Sequence, residues 1–122
     1  MVKTRKTTEE INQEFYGEHF NQDTVEYLKK SAGARWFNDL LVMTLDHADK
    51  KGIKTAADVG CGVGHKTLTI KKQVPHANVT GFDFSKSAIE AGKRAYGSEG
   101  VKYSCEDITK KNYSKRYDLI SA

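Results

Sequence analysis

The sequence predicts an α/β fold, a parallel sheet whose strands alternate with helices and which follows a helical N-terminal segment. Three observations carry this. Between residues 53 and 122 short apolar runs alternate with amphipathic ones, the pattern of successive strand–helix–strand units with right-handed crossovers. The first junction is Ala57-Asp58-Val59-Gly60-Cys61-Gly62-Val63-Gly64-His65, where three glycines at alternate positions join an apolar run to a helix-compatible one. Acids also recur at the strand boundaries, as Asp58, Asp83, Asp107 and Asp118.

Taken in order, residues 1 to about 8 form a basic, threonine-rich end. Thr8-Glu9-Glu10-Ile11 has the hydroxyl cap and first-turn acids of a helix start, with Ile11 and Phe15 on one face and an end near Gly17. Asp23 caps a second helix that runs to Lys30, with Val25 and Leu28 inward, and Gly33 breaks it. Ala34 to Lys50 gives the strongest helical pattern. Phe37, Leu41, Thr44 and Ala48 form a stripe flanked by Trp36, Leu40 and Met43, wide enough to pack on a sheet. Lys50, Lys51 and Gly52 close it.

The period then changes. Ile53 to Val59 is a buried strand, and His65 to Val74 a helix with Thr67, Ile70 and Val74 inward, stopped by Pro75. Asn78 to Phe84 is a second strand ending in Asp83. Ser85 caps the next helix, whose buried face is Ala88, Ile89, Gly92, Ala95 and Tyr96 and which Gly97 ends. Val101 to Cys105 is a third strand and Tyr117 to Ile120 a fourth. The expected sheet order is 3-2-1-4, with a ligand above the carboxyl ends of the strands. Residues 1–52 are then a helical segment covering the site and 53–122 the core, within one domain.

A hydrophobic fraction of 38%, a charged fraction of 30% and one proline argue for a folded soluble chain over a disordered one. No apolar run nears the roughly 20 residues that cross a bilayer, and residues 1–10 lack the apolar segment of a secretion signal, so no membrane contact and a cytoplasmic location are expected. Cys61 and Cys105 have no neighbours at metal-ligand spacing and do not make a disulfide framework, so no metal is expected. The net charge of +4 is spread over separate lysine pairs, the pattern of solvated surface, which leaves nucleic acid a minor partner class.

The glycine junction points to a ligand. Without a Cβ, glycine lets a ligand approach the main chain, and the following helix aims free N–H groups and its positive dipole end at the loop, so a nucleotide-like ligand is the first reading. The dinucleotide fingerprint wants its third glycine five positions after the first, where this chain has His65. Asp58, two residues before Gly60, would repel a pyrophosphate and welcome an ammonium group. A ligand with both an amine and a carboxylate suits the loop better. Asp83, about twenty residues past the loop, can accept hydrogen bonds from ribose hydroxyls, with Phe84 or Phe82 against an adenine face.

Asp58-x-Gly60-x-Gly62-x-Gly64 resembles the first motif of the class I S-adenosylmethionine-dependent methyltransferases, and the similarity covers about Thr55 to Ala122. The resemblance implies a Rossmann-like fold, S-adenosylmethionine as cofactor, and cofactor contacts from Asp58, Gly60, Cys61, Gly62, Gly64, Asp83, Phe84, Glu106, Asp107 and Ile108. Asp107 stands where a family side chain accepts a hydrogen bond from the adenine amino group. Tyr117-Asp118-Leu119-Ile120 resembles the fourth motif, whose Asp starts a strand. Tyr16, His19 and Phe20 fall where many members place helices that cover the cofactor and shape the acceptor pocket. The implied reaction is in-line transfer of a sulfonium methyl group, with the protein positioning the reactants and excluding water. The resemblance names no catalytic residue. A small molecule is the expected acceptor, with RNA or protein as alternatives.

Family members usually continue past the fourth strand through three more. Here the sequence stops at Ser121-Ala122, leaving Leu119 and Ile120 on an edge open to pairing. A fold truncated after strand 4 is expected, either as a fragment of a longer enzyme or as a sheet completed by a homo-oligomer or companion chain. The alternatives are a non-catalytic S-adenosylmethionine-binding or partner-binding module, and an NAD-dependent oxidoreductase, which His65 and Asp58 disfavour.

Overall fold

The structure, a computed structural model, describes residues 32–109 and 117–122, together with Arg5, Thr7 and Glu10. Of the helix expected at 8–17 only Glu10 falls among the described residues, its N donating to Thr7 Oγ1 at 3.1 Å; the helix expected at 23–30 lies outside them, as do Tyr16, His19 and Phe20.

Strands β1 (Thr55–Val59), β2 (Asn78–Asp83), β3 (Lys102–Cys105) and β4 (Leu119–Ser121) form one parallel sheet in the order β3-β2-β1-β4. This is the Rossmann-like arrangement expected from the alternation of strands and helices. Helix α1 (Ala32–Asp46) precedes the sheet, α2 (His65–Gln73) joins β1 to β2, and α3 (Lys86–Tyr96) joins β2 to β3.

Register decides what lies under the site. Asp58 is opposite Gly81 of β2 and Ser121 of β4, Gly81 is opposite Tyr103, and Asp83 is opposite Cys105. Paired residues share a face of the sheet. On the face that holds Ala56 and Val79, Leu45 of α1, Ile70 of α2 and Val74 at its C-cap close one core with Ile53 and Ala77, and Leu41 and Leu119 pack against it. Burial of each of the large side chains contributes about 1.5–3 kcal/mol.

Helix α2 follows the expected pattern, with Thr67, Ile70 and Val74 buried and Val74 as its C-cap before Pro75. Helix α1 does not. It ends at Asp46 and a separate 3-10 turn, Lys50–Gly52, leads into β1. Lys50 Nζ stands 2.9 Å from both Asp46 Oδ1 and Gln73 Oε1, which fixes this turn against the end of α2. The inward face of α1 carries Leu41 and the fully buried Leu45, while Thr44 and Ala48 are exposed, as are Trp36, Leu40 and Met43. Ala48 lies beyond the helix, so the stripe never reaches it; the side chain of Phe37 lies outside those described.

In α3 the buried set is Ala88, Ile89, Ala91, Gly92 and Tyr96, and Ala95 is exposed. The expected face is the buried one, with Ala91 in place of Ala95, which lies one turn further on; Ala91 and Tyr96 pack on Val63 of the glycine loop. Ser85 caps it, its hydroxyl accepting from Ala88 N at 3.3 Å. Gly97 is the C-cap that ends α3, as expected, but at φ −58° it leads into a 3-10 turn, Gly97–Glu99, and the left-handed residue is Gly100 at φ 84°. Asp118 serves the start of β4: its Oδ2 accepts from Lys54 N at 2.9 Å and Thr55 N at 3.1 Å, tying β4 to β1.

Candidate functional site

The loop from Gly60 to Gly64 lies between the end of β1 and the start of α2. Gly60, Gly62 and Gly64 have φ of 70°, 57° and 96°, in the left-handed region that residues with a Cβ rarely enter. Four of its amides are turned inward. Gly60 N and Cys61 N donate to Phe82 O at 2.8 and 3.0 Å, Gly64 N donates to Cys61 O at 3.0 Å, and Gly62 N donates to Asp83 Oδ2 at 2.9 Å.

These four loop amides are therefore not offered to a ligand. In a trans peptide the carbonyl points opposite to the N–H. With Cys61 N–H directed at Phe82, the Gly60 carbonyl is directed outward at an exposed residue. The loop therefore offers an acceptor, which suits an ammonium and not a phosphate.

The underside of the loop rests on β3 and α3. Tyr103 Oη donates to Val63 O at 2.9 Å, and burial pushes its hydroxyl well above the usual range. A Cβ on Gly64 would collide with the Tyr103 ring, and one on Gly92 would lie 2.5 Å from Val63 O. His65 Nδ1 is hydrogen-bonded to Tyr96 Oη, with the two rings edge to face at 5.4 Å.

Asp58 is completely buried. Thr67 Oγ1 donates to its Oδ2 at 2.7 Å, and Lys66 Nζ stands 3.2 Å from its Oδ1. Burial raises its carboxyl above the ordinary 3.8, opposed by Thr67 and Lys66. The sequence suggested that Asp58 would welcome a ligand's ammonium; the ammonium beside it is the chain's own. A carboxylate shut off from water needs such a partner inside the protein. The adjacent Cys61 thiol donates to Gly62 O, and burial, with Asp58 and Asp83 adding to it, pushes it up to about 12, so it stays protonated at neutral pH.

Asp83 ends β2 and is nearly buried, with Ser85 N donating to Oδ1 at 2.8 Å and Gly62 N to Oδ2. It joins the loop to the cap of α3. Each oxygen keeps further acceptor capacity for a hydroxyl at the rim. Phe82 is 3% exposed and packs edge to face on Tyr117 at 6.2 Å, so it belongs to the sheet, while Phe84 is half-buried beside Asp83. Glu106 N donates to Asp83 O at 2.9 Å. Asp107 Oδ1 accepts from Thr109 N and Oγ1 at 2.9 and 2.6 Å, and Ile108 is exposed. Thus Asp58, Gly60, Cys61, Gly62, Gly64, Asp83, Phe84, Glu106, Asp107 and Ile108 gather along the carboxyl edge of β1, β2 and β3, with Asp58 beneath the surface.

Three further residues shape the site. Tyr103 and Gly92 support the loop from below, and Lys66 neutralises Asp58. Only strand register could have brought Tyr103 under the loop; a lysine two residues after the last glycine was a readable hint. Among the described residues no group of three His, Cys, Asp or Glu side chains could hold a metal ion, and no helix is long and apolar enough to cross a membrane.

A family model described as a methyltransferase domain matches residues 56–122. The malonyl-[acyl-carrier protein] O-methyltransferase of Bacillus anthracis is 29% identical over 112 residues, 90% of this chain and 41% of that protein. The demethylmenaquinone methyltransferase of Staphylococcus aureus (strain JH9) is 46% identical over 59 residues, 47% of this chain and 24% of that protein. Among solved structures, the plantazolicin methyltransferase BpumL in complex with a monoazolic desmethylPZN analog and SAH superimposes with a TM-score of 0.61 at 25% identity, covering 92% of this chain and 46% of that one. The chain spans about two fifths of the length of the curated relatives that it matches over nine tenths of its own.

Proposed function

Since the chain belongs to the class I S-adenosylmethionine-dependent methyltransferase superfamily, through the domain at residues 56–122, we propose that it binds S-adenosylmethionine along the carboxyl edge of β1, β2 and β3. It would serve methyl transfer there to a small or carrier-bound organic acceptor. The observation that carries this is the orientation of the glycine loop: the amides of Gly60, Cys61, Gly62 and Gly64 are spent on Phe82, Asp83 and Cys61, and the outward Gly60 carbonyl suits an amino-acid ammonium and not a pyrophosphate. The residues present fit the cofactor. Asp83 would take the ribose hydroxyls, Phe84 and Ile108 would flank the adenine, and Glu106 and Asp107 would line its edge.

Bound there, the cofactor supplies a methyl group already activated as a sulfonium. The chain's own residues hold and orient. Tyr103, Gly92 and the His65–Tyr96 pair fix the loop, and the buried Asp58 fixes the first turn of α2. We assign the cover of the site to residues 1–52, with Tyr16, His19 and Phe20 facing the acceptor. Relatives named for malonyl-[acyl-carrier protein] and demethylmenaquinone support the acceptor class. A cytoplasmic setting belongs to the same proposal, as does pairing of the β4 edge, where Ile120 is 62% exposed, with a further strand from this or another chain.

Calorimetric titration with S-adenosylhomocysteine and, separately, NAD tests this. Micromolar binding of the first alone, lost in Asp83→Ala, is the expected result. Binding of NAD in its place, or of neither ligand, would overturn the proposal.

A further inference from the structure

A ligand whose ribose meets Asp83 has its nucleoside over β2 and β3, because Asp83, Phe84, Glu106 and Ile108 all stand at the ends of those strands. In the order β3-β2-β1-β4 its other end extends over β1 and β4. Between α1, the first turn of α2 and β4 lies a groove of about 230 Å³, lined by Leu41, Leu45, Leu119 and Ile120, with Lys66 and Ser121 among its polar members. Lys66 is its charged residue. The Lys66 side chain is 21% exposed, and its ammonium is held 3.2 Å from the carboxylate of Asp58, which has no exposure of its own.

We infer that Lys66 recognises the carboxylate of the cofactor's amino-acid end, an inference that rests on the cofactor reading above. An amino-acid end carries an ammonium and a carboxylate side by side, and each needs a partner once water is excluded. The Gly60 carbonyl suits the ammonium. The carboxylate needs a donor, and the amides of Gly60, Cys61, Gly62 and Gly64 are already committed within the protein. Lys66 brings three N–H donors on a flexible stem, and the ion pair with Asp58 holds that stem at the groove. Asp58 is then a positioning residue. Fully buried, it acts through Lys66 and through Thr67, whose hydroxyl occupies its other oxygen.

The test is a binding cycle by calorimetry with two ligands, S-adenosylhomocysteine and its decarboxylated analogue, on the unaltered chain, Lys66→Met and Lys66→Arg. The unaltered chain should prefer S-adenosylhomocysteine by about tenfold or more, the worth of one charge-assisted hydrogen bond. Lys66→Met should bind the two ligands equally, at the level the unaltered chain shows for the decarboxylated one, and Lys66→Arg should restore the preference. A preference that persists in Lys66→Met, or a loss of affinity by the same factor for both ligands, would overturn the inference and leave Lys66 a structural partner of Asp58. The unaltered chain alone gives a second reading should Lys66→Met fail to fold. Equal affinity for both ligands there overturns the role of Lys66 while the cofactor reading stands, whereas binding of neither overturns both.

Discussion

Gly92 lies inside α3, where a small residue reads as room for the sheet. What it makes room for is the glycine loop: a Cβ there would lie 2.5 Å from Val63 O and 2.7 Å from Tyr103 Cε1. Neither neighbour can yield cheaply, since one is main chain and the other is a ring hydrogen-bonded to that same carbonyl. Gly92→Ala should therefore destabilise the fold by about 1–3 kcal/mol and weaken S-adenosylhomocysteine binding as the loop shifts. Gly97→Ala provides the contrast, because no atom lies within 4 Å of its Cβ and its φ is −58°; it should stabilise by about 0.4–1 kcal/mol. Urea denaturation of the two variants, with titration of the first, checks both values. That position 92 wants a small side chain was legible in the sequence. Its partner was not, because Val63 and Tyr103 reach it only through the turn of the loop and the register of β3.

Among the elements, β4 is tied to β1 by the side chain of Asp118. Asp118 accepts from the amides of Lys54 and Thr55, and those bonds hold its carboxyl below the ordinary 3.8. A depressed folded value means that the stabilisation is present above the unfolded pKa and is lost as pH falls through the folded one. Asp118→Ala should lower the Tm at neutral pH, and its gap from the unaltered chain should close progressively below about pH 3.8. A gap that stays constant down to low pH would contradict this. Element ends are unevenly legible in the sequence for physical reasons. Pro75 stops α2 outright, whereas nothing local stops α1, whose helical period runs on through Ala48; its end follows from the turn into β1 and from Lys50 bridging Asp46 and Gln73.

At the scale of the whole molecule, the sheet order and the row of residues at its carboxyl edge were legible from the alternation of periods and the glycine spacing. The polarity of the loop was not. Whether a glycine amide faces ligand or protein depends on acceptors elsewhere in the chain, here Phe82 O and Asp83 Oδ2. The same is true of Asp58, which reads as a ligand group until its burial and its pairing with Lys66 are known. In the proposed reading, those two features separate a site for an amino-acid-bearing nucleoside from one for a dinucleotide. A crystal structure of the chain with S-adenosylhomocysteine tests that separation most directly. The expected result has the ribose hydroxyls on Asp83, the ammonium on the Gly60 carbonyl and the Gly62 amide still bound to Asp83. A nucleoside lying over β4, or a loop whose amides have turned outward to the ligand, would contradict it.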